Sequence, residues 1–142
     1  MMIFYKSLNV SIFLFGLLLS PLVHSQNSIE DCHNKTAVTP EIISSCLGRI
    51  IEVADRELKT WVNLYQFDLE AENQRSGLML FKRSQKNFTL YRESNCRWQY
   101  LTTPKQSTAA IDYKECYILV TQTRIKELTR FYNLVKKAKQ SM

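Results

Sequence analysis

The chain predicts an all-α fold: a small antiparallel bundle of three helices, or four if the first is broken, stapled by two disulfides. Three observations predict it. Apolar residues recur at steps of three and four through three long stretches. No repeat, strand alternation or Gly-rich loop interrupts them. Finally, Cys32, Cys46, Cys96 and Cys116 form an even set in a chain of 142 residues, one domain by length.

The N-terminus reads as an export signal. Lys6 supplies a short positive region, "VSIFLFGLLL" an apolar core, and Val23 and Ser25 the small residues of a cleavage site. Residues 1–25 are therefore expected to be a cleaved secretory signal peptide, and residues 26–142 the mature helical domain. The apolar run is about half of the ~20 residues a spanning helix needs, so no stable membrane anchor is expected. A lipid anchor would need a cysteine at the cut, and Cys32 lies beyond it. The expected location is periplasmic or secreted. In an oxidising compartment four cysteines default to two disulfides, with three formal connectivities, of which the two local pairs, Cys32 with Cys46 and Cys96 with Cys116, are the simplest. No C-x-x-C pair occurs and His33 is the one mature histidine, so no metal is expected.

A polar, cysteine-bearing segment, "QNSIEDCHNKTAV", opens the mature chain. In "TPEI", Thr39 can cap a helix and Pro40 can take its first position. The stripe Ile43, Leu47, Ile50, Ala54, Leu58, Trp61 and Tyr65 then predicts a long amphipathic helix, bent near Gly48. "ENQRSG" breaks it around Gly77, and a second helix is expected from about Leu78 to Cys96 or just beyond. Its stripe, Leu78, Phe81, Gln85, Phe88 and Arg92, carries an amide and a guanidinium where apolar residues belong. Residues 97–111, with Pro104 and small polar residues, read as a loop. The third helix is expected to start with a capping box at Asp112–Glu115 and to bury Cys116, Val120, Arg124, Leu128, Phe131 and Val135. The tail "KKAKQSM" is expected to fray.

Charge is polarised. From Gln26 to Glu72 there are nine acids and four bases; from Asn73 to Met142 there are fourteen bases and four acids. Such a basic half can meet an anionic polymer or protein.

Three phrases carry a resemblance. "ADRELKTWVNLY" at 54–65, "SQKNFTLYRESNC" at 84–96 and "CYILVTQTRIKEL" at 116–128 resemble, in order, the motifs of the lysozyme inhibitor LprI-like family. Asp55, Glu57 and Leu58 match the first motif; Gln85, Tyr91, Arg92 and Cys96 the second; Cys116, Thr121, Arg124 and Leu128 the third. Lys59, Ser84 and Phe88 replace the usual Asn, Ala and Trp, and "TPKQSTAAIDYKE" stands where a Gly-rich stretch is common.

A buried charge must be paired and hydrogen-bonded, so arginines on apolar stripes need acceptors. If the chain reverses near Arg75, Glu57 and Arg92 meet at one height, with Arg124 a turn or two away. Glu57, Gln85, Arg92 and Arg124 are thus expected to form one buried polar network that sets helix register, with Asp55 or Asp68 as second acceptors.

The resemblance implies an exported inhibitor of lysozyme-type muramidases. Its contacts are expected from Lys105, Ser107 and Thr108 in the disulfide-tied loop, which can offer a cation and hydroxyls to catalytic carboxyl groups, and from the acidic outer face at Glu52, Asp55 and Glu70. The alternative is a binding module for an anionic surface or a secreted partner, through Lys82, Arg83, Lys86, Lys126, Arg130, Lys136 and Lys137. No aromatic-basic platform suggests nucleic acid. Without a nucleophile motif, paired acids or a second mature histidine, neither catalysis nor a cofactor is expected.

Overall fold

The computed structural model describes residues 28–34, 39–102, 104 and 108–141. The leader and its cleavage site lie outside them, as do Lys105 and Ser107. Four helices account for the described residues, with no strand among them: α1 (Ile29–His33), α2 (Pro40–Ala71), α3 (Arg75–Thr102) and α4 (Ala109–Gln140). The last three form the antiparallel bundle. Both disulfides are the local pairs, Cys32–Cys46 and Cys96–Cys116.

Helix α1 is an addition to the expected count, and it does not come from a break in the first long helix. It is one turn closed by a capping box, in which Ser28 Oγ accepts from the Asp31 amide at 3.1 Å and Asp31 accepts from the Ser28 amide at 2.6 Å. A turn this short is unstable alone. Its buried disulfide to α2, Ile29 packing against the core, and the His33 Nε2 to Glu115 Oε1 contact at 2.5 Å dock it on α2 and α4.

Helix α2 begins where expected, with Thr39 Oγ1 accepting from the Ile42 amide and Pro40 in the first turn. It runs unbroken past Gly48. Beside that glycine Lys114 crosses from α4 and donates to the Ser44 carbonyl and hydroxyl at 2.8 and 2.7 Å. The chain reverses at residues 72–74, with Asn73 at φ 56°, a conformation that asparagine tolerates better than most residues. Gly77 lies inside α3 instead of at the break.

Two apolar clusters fill the bundle. One joins Cys32, Cys46, Leu47, Ile50, Ile111 and Ile118; the other joins Ala54, Leu58, Ile125 and Leu128, flanked by Trp61, Tyr65, Phe81 and Phe88. The α2 stripe is as expected. On α4 the buried line is Ile111, Ile118, Thr121, Ile125 and Leu128, while Phe131 and Val135 are exposed. The expected line was anchored on Cys116, which lies about 160° around the helix from Ile118, and its steps of four reached the buried face only at Leu128.

The expected loop is also shorter. Helix α3 extends to Thr102 and α4 starts at Ala109, with Thr108 at its N-cap making no side-chain capping bond; Asp112 falls in the first turn. The Cys96–Cys116 disulfide therefore staples two helices below a short connection, in place of closing a long loop.

Candidate functional site

Arg92 of α3 reaches Asp55 on α2 and Thr121 on α4, where the two apolar clusters adjoin. Arg92 and Cys96 are the only buried residues of this helix among those described. Arg92 Nη1 donates at 2.8 Å to both Asp55 Oδ1 and Thr121 Oγ1, and the fully buried Thr121 hydroxyl donates in turn to the Tyr117 carbonyl at 2.7 Å. The guanidinium lies 3.9 Å from the centre of the Tyr117 ring, a cation–π contact. Tyr117 Oη donates to Asp55 Oδ2 at 3.2 Å, so both carboxylate oxygens are engaged. Burial pushes the Tyr117 phenol above its usual range, against the opposing pull of Arg92.

Glu57 is not part of this layer. It has the predicted height but is exposed, about 200° around α2 from Asp55, and the carboxylate on Arg92 is that of Asp55. Nor is there one continuous network. Arg124 forms a second layer: its Nη2 donates to Ser84 Oγ at 2.9 Å and its Nη1 to Glu127 at 2.8 Å. With its amide oxygen turned to the guanidinium, Gln85 accepts from Arg124 Nη2 at 2.5 Å and from Nε at 3.2 Å. Phe88 separates the layers, its ring centre 5.5 Å from Arg92 and 5.7 Å from Arg124. Arg92 thus bonds α3 to both α2 and α4, and Arg124 bonds α4 to α3 through Ser84 and Gln85.

From this interior an aromatic ladder leads to the end of the α3–α4 hairpin. Tyr117 lies 6.2 Å from Tyr113, and Tyr113 meets Tyr100 edge-on at 6.3 Å. Tyr113 Oη donates to Glu93 at 3.1 Å, and burial first, then this carboxylate, raises its pKa. A cavity of about 300 Å³ opens here, lined by Glu93, Arg97, Tyr100, Ala110, Tyr113 and Lys114. Beyond it the tip is apolar and bare: Trp98 is 55% exposed and Leu101 68%, one helical turn apart, with Pro104 and Thr108 also exposed. The sequence reading missed Trp98 and Leu101 by assigning them to a loop; their three-residue spacing beside Cys96 was the available signal.

The expected contact residues fare unequally. Thr108 lies at the tip. On α2, Glu52 is exposed, Asp55 is taken up by Arg92 and Tyr117, and Glu70 faces Lys82 at 3.5 Å. The acidic face is therefore less open than its composition suggests. Among the described residues no group of three His, Cys, Asp or Glu could hold a metal ion, and no helix is long and apolar enough to cross a membrane.

Comparison with known proteins returned one family. Its model, described as lysozyme inhibitor LprI, matches residues 32–128, from the first disulfide cysteine to the last buried leucine of α4. No curated protein and no solved structure matches the chain.

Proposed function

Because the chain belongs to the LprI family of lysozyme inhibitors, we propose that it is exported, binds a lysozyme-type muramidase and blocks its cleft, protecting the cell wall. The mature protein is residues 26–142, released into the periplasm or outside the cell. Its contact surface is the stapled end of the α3–α4 hairpin. The observation that carries this choice is the pair of exposed side chains Trp98 and Leu101, fixed on a helix directly above the Cys96–Cys116 disulfide.

A rigid apolar projection suits inhibition for two reasons. Little ordering cost remains to be met on binding, and large aromatic side chains dominate interface energetics. Muramidases cleave with two carboxyl groups on either side of the glycosidic bond, so a wedge in the cleft excludes substrate. Lys105 and Ser107, three and five residues beyond the end of α3 at Thr102, would supply a cation and a hydroxyl near those groups. Glu52 would steer a basic lysozyme, affecting association rate more than final affinity.

The deciding experiment is a turbidity assay of bacterial cells with lysozyme and purified mature protein, run on the parent and on Trp98→Ala. Truncating a central interface tryptophan costs about 2 kcal/mol, roughly thirtyfold in inhibition constant. Equal inhibition by parent and variant rejects the hairpin tip. A second reading, docking to an anionic surface, is favoured by six exposed cations that form no ion pair among the described residues: Arg83, Lys86, Lys126, Arg130, Lys136 and Lys137. Salt-sensitive retention on an anionic matrix, without any effect on lysozyme, would support it.

A further inference from the structure

At the end of the bundle opposite the stapled hairpin, α2 and α4 enclose a second cavity, of about 270 Å³. Tyr65 and Tyr132 form one wall, their rings edge-on at 5.8 Å, and Leu69 and Val135 add aliphatic surface. Tyr65 is fixed by donating its hydroxyl to the Leu128 carbonyl at 2.9 Å. Four charged residues line the same space: Asp68 from α2, Glu72 just past its end, and Lys136 and Lys139 from α4.

These four are not equivalent. Glu72 is spoken for on both oxygens, one by Lys139 and the other by the Gln74 amide at 2.9 Å. Asp68 and Lys136 form no ion pair, with each other or with any other described residue. A carboxylate of α2 and an ammonium of α4 therefore line one small cavity together with aromatic and aliphatic side chains. Each lacks a counter-charge.

We propose that this cavity is a binding site for a small zwitterion, a free amino acid with an apolar side chain. Its ammonium meets Asp68, its carboxylate meets Lys136, and its side chain lies against Tyr65, Leu69, Tyr132 and Val135. Opposite charges on facing helices select a bipolar ligand over an anion or a cation, since either monopole leaves one protein charge facing a like one. The volume lies just below the range of sites for drug-sized molecules, which suits a single residue better than a peptide. The site shares no residue with the hairpin tip, so its fate is independent of lysozyme inhibition.

The test uses the full mature protein with both disulfides intact, titrated with L-leucine while the ring resonances of Tyr65 and Tyr132 are followed by NMR. Saturable shifts in those two rings are expected. N-acetyl-L-leucine and L-leucinamide, each lacking one charge, should bind about fivefold more weakly or worse, and Asp68→Asn and Lys136→Gln should each weaken L-leucine to a similar degree. Lys136 is exposed and Asp68 half-buried, and unchanged helical circular dichroism verifies that the variants fold. Absence of saturable shifts overturns the proposal. So does equal binding of the two blocked analogues, which would reduce the site to an apolar cleft, or L-leucine binding unchanged by both substitutions.

Discussion

Removing the acid of the Asp55–Arg92 pair should cost more than removing the base. The Arg92 side chain is 10% exposed, whereas that of Asp55 is 41% exposed. In Arg92→Met the thioether side chain replaces the buried aliphatic stem. Asp55 then turns to water and to Tyr117, and Thr121 keeps its bond to the Tyr117 carbonyl. The Nε of Arg92, buried without a partner, is removed as well. What is lost is one bond to a carboxylate, one to a neutral hydroxyl and the contact with the Tyr117 ring; set against the relief of the orphaned Nε, the net loss is about 2 kcal/mol. In Asp55→Ala a guanidinium stays buried with only a hydroxyl and aromatic faces for company, and the loss should reach about 3 kcal/mol. The double variant Asp55→Ala/Arg92→Met should recover at least about 1 kcal/mol of the summed losses. Glu57→Ala, on an exposed site, should stay within about 0.5 kcal/mol. Urea unfolding followed by helical circular dichroism measures all four. The reasoning fails if Glu57→Ala is as damaging as Asp55→Ala, if Arg92→Met is the costlier single change, or if the two losses simply add.

Alkaline solution should destabilise the bundle. Tyr65, Tyr113 and Tyr117 all have raised folded-state pKa values, chiefly from burial, so the folded chain holds protons that the unfolded chain releases. That stability is fully present below the unfolded phenol pKa of about 10 and is lost as pH climbs through the higher folded values, which urea midpoints across that range will track. Replacing Cys96 and Cys116 together by serine removes a cross-link over a sequence separation of 20 and should lower stability by about 3 kcal/mol in the same assay. At the tip, Leu101→Ala should weaken inhibition without changing the urea midpoint by more than about 0.5 kcal/mol, because an exposed side chain contributes to a partner and not to the core. Changing Lys105, Gln106, Ser107 and Thr108 to glycine tests the connection separately from the helix that carries Trp98.

How far the sequence could be read depended on what a stripe of residues specifies. Helix α2 was legible because its cap and its mixed steps of three and four agree. Arg92 was legible as a buried charge because it continues the line Leu78, Phe81, Gln85, Phe88. Its partner was harder. Counting residues from a turn determines height along a helix, but Asp55 and Glu57 differ mainly in direction around it, which depends on how α2 rotates against α3 and α4. The same rotation decided the face of α4, where a line anchored on the disulfide cysteine Cys116 started about 160° from Ile118 and met the buried face only at Leu128. Helix α1 is too short for any periodicity; Ser28 and Asp31, three apart, were its only sign. The long reach of α3 was hidden because Pro104 and the polar run after it suggested that the helix stopped at Cys96 or just beyond, although nothing between Arg97 and Thr102 breaks a helix. The division of the polar residues into two layers rests on Phe88 standing between two arginines, a relation in space that spacing along one helix does not contain.

The central claim, that this domain occludes a muramidase with its hairpin tip, is met most directly by one titration. Purified mature protein is added to lysozyme acting on bacterial cells, and the rate of turbidity loss is recorded beside that for an equal amount of Trp98→Ala. The account predicts that the parent slows clearing in a saturable, roughly stoichiometric manner and that the variant requires about thirtyfold more protein. Clearing that proceeds unchanged in the presence of excess parent would contradict it.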